Sequence, residues 1–138
     1  MYPRTQAGQN QALQAIVADK KKCPSDPVNI WGYSRGTAAA EQLAQKLQSL
    51  GINVDSMNVI DPVSGLGQPL SLTPPANVQQ ANDWYQTNPA MLGTSNPFHG
   101  APFNNPTNNP NIVSTPMGSW YNHNTIVGGV IHALGYPY

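Results

Sequence analysis

The pentapeptide Gly32-Tyr33-Ser34-Arg35-Gly36 lies between a run typical of a buried strand and a run typical of a helix. Residues 28–31 have the apolar content of a short strand, and residues 37–50 have helical spacing that ends at Gly51. The chain must therefore reverse sharply at Ser34, and a glycine on each side gives the room that such a turn needs. A strand-to-helix turn of this kind projects the serine hydroxyl outward, whereas the plainer alternative is a serine that only caps the helix.

The residue after the serine stands at the expected N-terminus of this helix. The backbone N–H of Arg35 therefore points to where a negatively charged oxygen would be stabilised by the helix dipole. These features predict that Ser34 is a nucleophile and that the Arg35 N–H is an oxyanion donor.

A serine nucleophile needs a base, and the base needs an acid that orients its ring. Residues 56–60 are typical of the next strand, and Asp61 follows them directly. A strand–helix–strand unit of this size is normally parallel, so Asp61 and Ser34 are expected at the same edge of the sheet. The alternative is that Asp61 only opens a turn with Pro62. Asp83 is the reserve candidate for the acid.

Three histidines compete for the role of base. His123 is the first choice, because it lies in a loop directly before the helix-like residues 124–134. His99 is the second choice and lies in residues 88–110, which are rich in proline, asparagine and glycine. His132 ranks last, because it lies inside the last helix and off its apolar stripe.

The chain order Ser34, Asp61, His123 resembles that of the α/β-hydrolases. The resemblance is carried by residues 28–36, residues 59–63 and His123. Within the superfamily, the sequence resembles most the lipase and esterase branches. It also resembles bacterial lipase-like domains, some of which are similar to phospholipase effectors. It implies a serine hydrolase that cleaves carboxylic esters, with Ser34, Asp61 and His123 as the catalytic residues. A catalytically silent interaction module stays open as an alternative, as does a thioesterase, amidase or acyltransferase with the same triad.

The stretch before the serine departs from the pattern of this family. An α/β-hydrolase has several strands there, and a loop among them supplies the second oxyanion N–H. Only 33 residues precede Ser34, and most of them are typical of a single helix. The sequence leaves three possibilities open: residues 2–5 supply the second donor, a partner chain supplies it, or the site is impaired. Residues 2–5 are our working hypothesis.

Length and patterning predict one small α/β domain, since 138 residues suffice for a single core. The expected elements are a helix over 8–22, a strand over 28–31, the turn 32–36, a helix over 37–50, strands over 56–60, 78–86 and 111–114, and a helix over 124–134. They predict a small, partly parallel sheet of about four strands with helices packed on it, a reduced α/β-hydrolase core. We expect the first helix to cover the free edge beside the nucleophile strand, or two chains to meet there as a homodimer.

Several aromatic and apolar side chains, both within and between these segments, are candidates for an acyl-binding surface, although each serves equally well in ordinary packing. They are Tyr33, Trp84, Tyr85, Met91, Leu92, Phe98 and Phe103. The expected ligand is therefore a small-molecule ester or a lipid.

Charge and cysteine content narrow the range of partners. Only 9% of the residues are charged and the formal net charge is zero, so bulk electrostatics favour neither nucleic acid nor an anionic membrane. Cys23 is the single cysteine, which excludes an intramolecular disulfide and leaves no metal-ligand cluster, so we expect neither metal nor cofactor. We expect no transmembrane segment and see no signal-like stretch. A cytoplasmic location is the default, and secretion stays open if a leader has been removed.

Overall fold

The computed structural model describes residues 6–88, 98–118 and 120–135. Within these residues, the helices and strands are, in chain order, α1 (Gln6–Lys22), β1 (Asn29–Tyr33), α2 (Gly36–Ser49), β2 (Val54–Ile60), β3 (Val78–Tyr85), β4 (Ile112–Pro116) and α3 (Ile126–Ala133). The chain is therefore a small α/β protein, as the sequence predicts.

The observed ends of these elements differ from the predicted ones by one or two residues. β1 continues to Tyr33, so the turn begins at Ser34 itself rather than at Gly32. α3 begins at Ile126 because the side chain of Asn122 binds the backbone N–H groups just before it and holds them in a turn.

The four described strands form one sheet in the order β1-β2-β3-β4, and all three neighbouring pairs are parallel. The sequence predicts a partly parallel sheet, and the observed sheet is parallel throughout its described strands. The connections after β2 and β3 carry no helix in their described residues, yet each returns the chain to the same end of the sheet. As a result, the carboxyl ends of all four strands meet at one edge.

Helices cover both faces of the sheet. α2 packs on β1 and β2, α1 packs against α2, and α3 contacts β2. The main core contains Ala12, Val28, Ile30, Ala40, Leu43, Ala44, Leu47, Val54, Met57, Val59, Leu72, Ala81 and Phe103. A second cluster holds Ile60, Ile126 and Val130, with Trp31, Tyr33 and Trp84 packed against it. Because Val59 and Ile60 are consecutive in β2 and belong to different clusters, the two clusters lie on opposite faces.

β1 forms one edge of the sheet, and no described strand pairs with its outer side. α1 contributes Ala12 to the core cluster that also contains Ile30 of this strand and Val28, which directly precedes it. The pairing of two chains along this edge stays a prediction. In the described part of the chain, no helix has the length and apolar character that a bilayer span demands.

Candidate active site

Ser34 occupies the sharp turn between β1 and α2. Its φ angle is 59°, in the left-handed region that a residue with a side chain seldom adopts, at a cost of about 1–3 kcal/mol. Backbone hydrogen bonds hold the turn: the Ser34 N–H donates to the carbonyl of Ile60 at 3.0 Å, and the Ser34 carbonyl accepts from the N–H and the hydroxyl of Thr37 at 3.2 and 2.8 Å. The N-cap of α2 is Arg35, and no side chain caps the helix by a hydrogen bond. The Ser34 hydroxyl therefore does not cap α2.

The close crossing of β1 and α2 explains the first glycine of the pentapeptide. A Cβ atom on Gly32 would lie 2.9 Å from both the carbonyl oxygen of Gly36 and the Cα of Thr37. The strand and the helix approach each other this closely only because Gly32 has no side chain.

The Ser34 hydroxyl is hydrogen-bonded to His123, with 2.8 Å between Oγ and Nε2. His123 lies in the loop before α3 and its residue is only 5% exposed. The preceding Asn122 fixes this loop, because its Oδ1 accepts hydrogen bonds from the N–H groups of Asn124 and Thr125 at 2.9 and 3.1 Å. The imidazole is thus presented to the serine from a tightly held turn.

The other imidazole nitrogen, Nδ1, lies 2.6 Å from Oδ2 of Asp61. Asp61 follows β2 directly, is fully buried, and has a φ of 51°. Its N–H donates to the carbonyl of Trp84 at 2.8 Å, which extends the pairing of β2 with β3 by one residue. Ser34, His123 and Asp61 therefore form one continuous chain of hydrogen bonds at the carboxyl edge of the sheet.

Gln86 completes the surroundings of Asp61, and the sequence analysis did not single it out. Its backbone N–H donates to Asp61 Oδ1 at 3.1 Å and its Nε2 donates to Oδ2 at 2.8 Å. The side chain is fully buried, its Nε2 also donates to the carbonyl of Phe98 at 3.0 Å, and its Oε1 accepts from the N–H of Asn88 at 2.7 Å. Both carboxylate oxygens of Asp61 therefore have donors that fix their orientation.

Tyr33 contacts the base. Its ring stacks on the His123 imidazole with 5.2 Å between centroids and 23° between planes, and its hydroxyl donates to the His123 carbonyl at 2.5 Å. Burial, and secondarily the charge of Asp61, raises the pKa of the Tyr33 phenol above 10.0, so the hydroxyl keeps its proton. The structure thus places Tyr33, one of the candidate acyl-site residues, against His123.

Phe98 lies on another side of the imidazole. Its ring is edge-on to His123 with 5.5 Å between centroids, and the Cζ of Arg35 lies 5.8 Å from the same ring centroid. The ring packs over Gly67, where an added Cβ would lie 2.2 Å from it. Phe98 and Tyr33 are therefore the two candidate acyl-site residues whose rings contact the His123 imidazole.

The remaining candidates fall into three groups. Trp84 stacks in parallel on Trp31 at 6.0 Å, and Tyr85 is half-buried at the end of β3. Phe103 is buried in the main core, the ordinary packing role that the sequence left open for it. Met91, Leu92 and residues 2–5 lie outside the described residues.

The other two candidate histidines, His99 and His132, have different surroundings. His99 is half-buried, and its Nδ1 is 3.2 Å from the carbonyl of Gly100. The side chain of His132 is exposed on α3. The hydrogen bond to the Ser34 hydroxyl belongs to His123.

Asp83, the reserve acid, is 1% exposed, and neither of its carboxyl oxygens has a hydrogen-bond partner among the described residues. Burial, with a smaller contribution from the charge of Asp61, raises the pKa of Asp83 from 3.8 to about 8. Asp83 therefore stays uncharged at neutral pH, and the contact with the imidazole is made by Asp61.

The position of an oxyanion is defined by the turn at Ser34. The Arg35 N–H follows the nucleophile at the start of α2 and makes no hydrogen bond to another described residue. It is thus available to a negatively charged oxygen bound beside the Ser34 hydroxyl.

No group of three histidine, cysteine, aspartate or glutamate side chains in the described ranges has the geometry to hold a metal ion. No protein-family model, curated protein or solved structure significantly matches the chain. What the fold and the site define is a small parallel α/β protein with a Ser–His–Asp hydrogen-bonded chain at the carboxyl edge of its sheet.

Proposed function

We propose that this protein is a serine hydrolase that cleaves carboxylic esters through an acyl-enzyme on Ser34. One observation carries the proposal: Ser34 Oγ, His123 Nε2, His123 Nδ1 and Asp61 Oδ2 are joined by contacts of 2.8 and 2.6 Å. A nucleophile, a base and an orienting acid in this order are the working parts of serine acyl transfer.

In the proposed reaction, Ser34 Oγ attacks the ester carbonyl carbon while its proton moves to His123 Nε2. The carbonyl oxygen becomes negatively charged and is bound by the Arg35 N–H, a donor of a kind worth about 2.7–4 kcal/mol in a well-formed site. The C–O bond to the alcohol then breaks, and the alcohol leaves with the proton from His123.

The second half of the reaction repeats these steps with water. His123 Nε2 removes a proton from water, and the resulting oxygen attacks the acyl carbon. The bond to Ser34 Oγ breaks, Oγ regains its proton from His123, and the carboxylic acid is released. Asp61, held by two donors from Gln86, stabilises the imidazolium form in both halves.

The test is hydrolysis of matched ester, thioester and amide substrates with the same butyryl group. We expect the ester to be cleaved fastest and Ser34→Ala to lower its rate by at least about 10³-fold. Faster cleavage of the thioester or amide would favour the alternatives that share the triad. Hydrolysis that persists unchanged in the folded Ser34→Ala variant would overturn the proposal.

A further inference from the structure

No acidic side chain in the described part of the chain forms an ion pair with Arg35. All six acidic residues, Asp19, Asp26, Glu41, Asp55, Asp61 and Asp83, lie in the described part of the sequence. Among the described residues, the one ion pair is that between Asp61 and His123. The Arg35 side chain is exposed, so its charge faces solvent without a neutralising side-chain carboxylate among the described residues.

This charge lies beside the reacting groups. Arg35 follows Ser34 directly, and its guanidinium lies over the Phe98 ring, with Cζ 5.8 Å from the centroid. The same ring is edge-on to the His123 imidazole at 5.5 Å between centroids. A cation over an aromatic face is attracted to it, so the guanidinium has a preferred place on the Phe98 ring, whose edge contacts the imidazole.

The two nearby acids do not compensate this positive charge at the surface. Asp61 is fully buried and its oxygens accept hydrogen bonds from His123 and Gln86. Asp83 is buried and uncharged at neutral pH. The three lysines of α1, Lys20–Lys22, form its last turn, shortly before the start of β1. Ser34 follows the other end of that strand.

We propose that the Arg35 guanidinium binds an anionic group of the substrate, so that the preferred esters carry a carboxylate or phosphate a few bonds from the scissile carbonyl. The inference rests on the proposed ester hydrolysis and names the substrate class of that site. A guanidinium binds both anions through two parallel hydrogen bonds, whereas a neutral ester offers it no such partner.

Two matched pairs of esters test this preference. The carboxylate pair is 4-nitrophenyl butyrate and the mono-4-nitrophenyl ester of glutaric acid. The phosphate pair is 1-butyrylglycerol and 1-butyrylglycerol 3-phosphate. Each kcat/KM is divided by the alkaline hydrolysis rate of the same ester without protein, and the anionic-to-neutral ratio is compared between variants.

Arg35→Gln removes the charge but keeps the backbone N–H, Arg35→Lys keeps the charge, and Lys21→Gln removes an exposed charge at the far end of the strand. We expect Arg35→Gln to lower the anionic-to-neutral ratio about fivefold, as for one partly exposed ion pair. Arg35→Lys should retain most of the ratio and Lys21→Gln all of it. Salt at about 0.5 M should lower the wild-type ratio, because it screens an exposed pair.

The outcomes separate this inference from the proposed function. A preference that Arg35→Gln abolishes supports the inference, and the pair that shows it identifies the anion as carboxylate or phosphate. Hydrolysis of all four esters with a ratio that Arg35→Gln leaves unchanged overturns the inference and leaves ester hydrolysis standing. If wild-type protein cleaves none of them, both are overturned.

Discussion

Gln86 donates one hydrogen bond to each carboxylate oxygen of Asp61, at 3.1 Å from its backbone N–H and at 2.8 Å from its side chain. The side-chain donor shares Asp61 Oδ2 with the His123 imidazole. In the proposed reaction Gln86 is therefore a positioning residue, because it binds Asp61 and fixes the direction from which Asp61 contacts His123.

Replacement of this amide tests the positioning role. Gln86→Met keeps the size and the backbone donor but loses the side-chain donor, so we expect kcat to fall about 10-fold, equivalent to one lost charge-assisted hydrogen bond. KM should change little, because Gln86 is fully buried and does not reach a substrate. The matched control is Gln80→Met within the preceding strand β3, whose amide binds Asn82. Equal kcat losses in both variants would mean that Gln86 acts only through general stability.

Tyr33 makes two separable contacts with His123, the hydroxyl bond to the carbonyl and the ring stack. Tyr33→Phe removes only the first, so we expect kcat to fall by about 3–10-fold, consistent with about 1 kcal/mol for one hydrogen bond. Tyr33→Leu removes both and should cost more. Steady-state kinetics of the two variants check this order. A wild-type kcat in Tyr33→Leu would show that the base is held without this residue.

The raised pKa of Asp83 leads us to expect that the stability of the protein depends on pH. Burial holds its pKa at about 8 in the folded protein against 3.8 when exposed, so between these values unfolding releases a proton. The free energy of unfolding should therefore fall as the pH rises from about 4 to about 8 and then level off. Each unit of pKa difference corresponds to about 1.4 kcal/mol, so the loss amounts to several kcal/mol.

Asp83→Asn keeps the shape of this side chain but cannot ionise. Urea unfolding at about pH 5 and about pH 8 should show that the substitution stabilises the protein more at the higher pH. A stability difference that does not change with pH would show that Asp83 is already charged, or paired, in the folded protein.

A substitution at Gly32 tests how closely β1 and α2 approach each other. A Cβ there would lie 2.9 Å from two backbone atoms of the helix, so Gly32→Ala must push the strand and helix apart. We expect a loss of about 1–3 kcal/mol in the free energy of unfolding. Gly65→Ala is the matched control, because a Cβ on Gly65 meets no atom within 4 Å. Thermal unfolding of the two variants should differ clearly, and equal melting temperatures would contradict the crossing geometry.

The hydrogen-bonded chain could be predicted because each of its members follows a pattern that the sequence displays. Ser34 stands between a strand-like and a helix-like run, Asp61 directly follows an apolar strand, and His123 precedes an apolar helix. Parallel strands bring such ends to one edge.

The residues that contact this hydrogen-bonded chain could not be predicted from the sequence in the same way. Gln86 lies one residue beyond β3, and nothing in its neighbourhood along the sequence distinguishes an amide that binds a buried acid from one in solvent. Tyr33 did carry a usable signal: strand alternation places it on the same face of β1 as Trp31, the face that α3 covers. The parallel direction of β3 and β4 was hidden, because no helical pattern lies between β2 and β3, where a parallel crossover usually has one.

The central claim is that His123 activates Ser34, and the rate of covalent labelling by a fluorophosphonate tests it most directly. In this reaction Ser34 Oγ attacks phosphorus, fluoride leaves, and the proton of the hydroxyl passes to the base. We predict a single modification on Ser34 by mass spectrometry, labelling at least about 100-fold slower in His123→Ala, and none in Ser34→Ala. Folded His123→Ala protein that is labelled as fast as wild type would contradict the account.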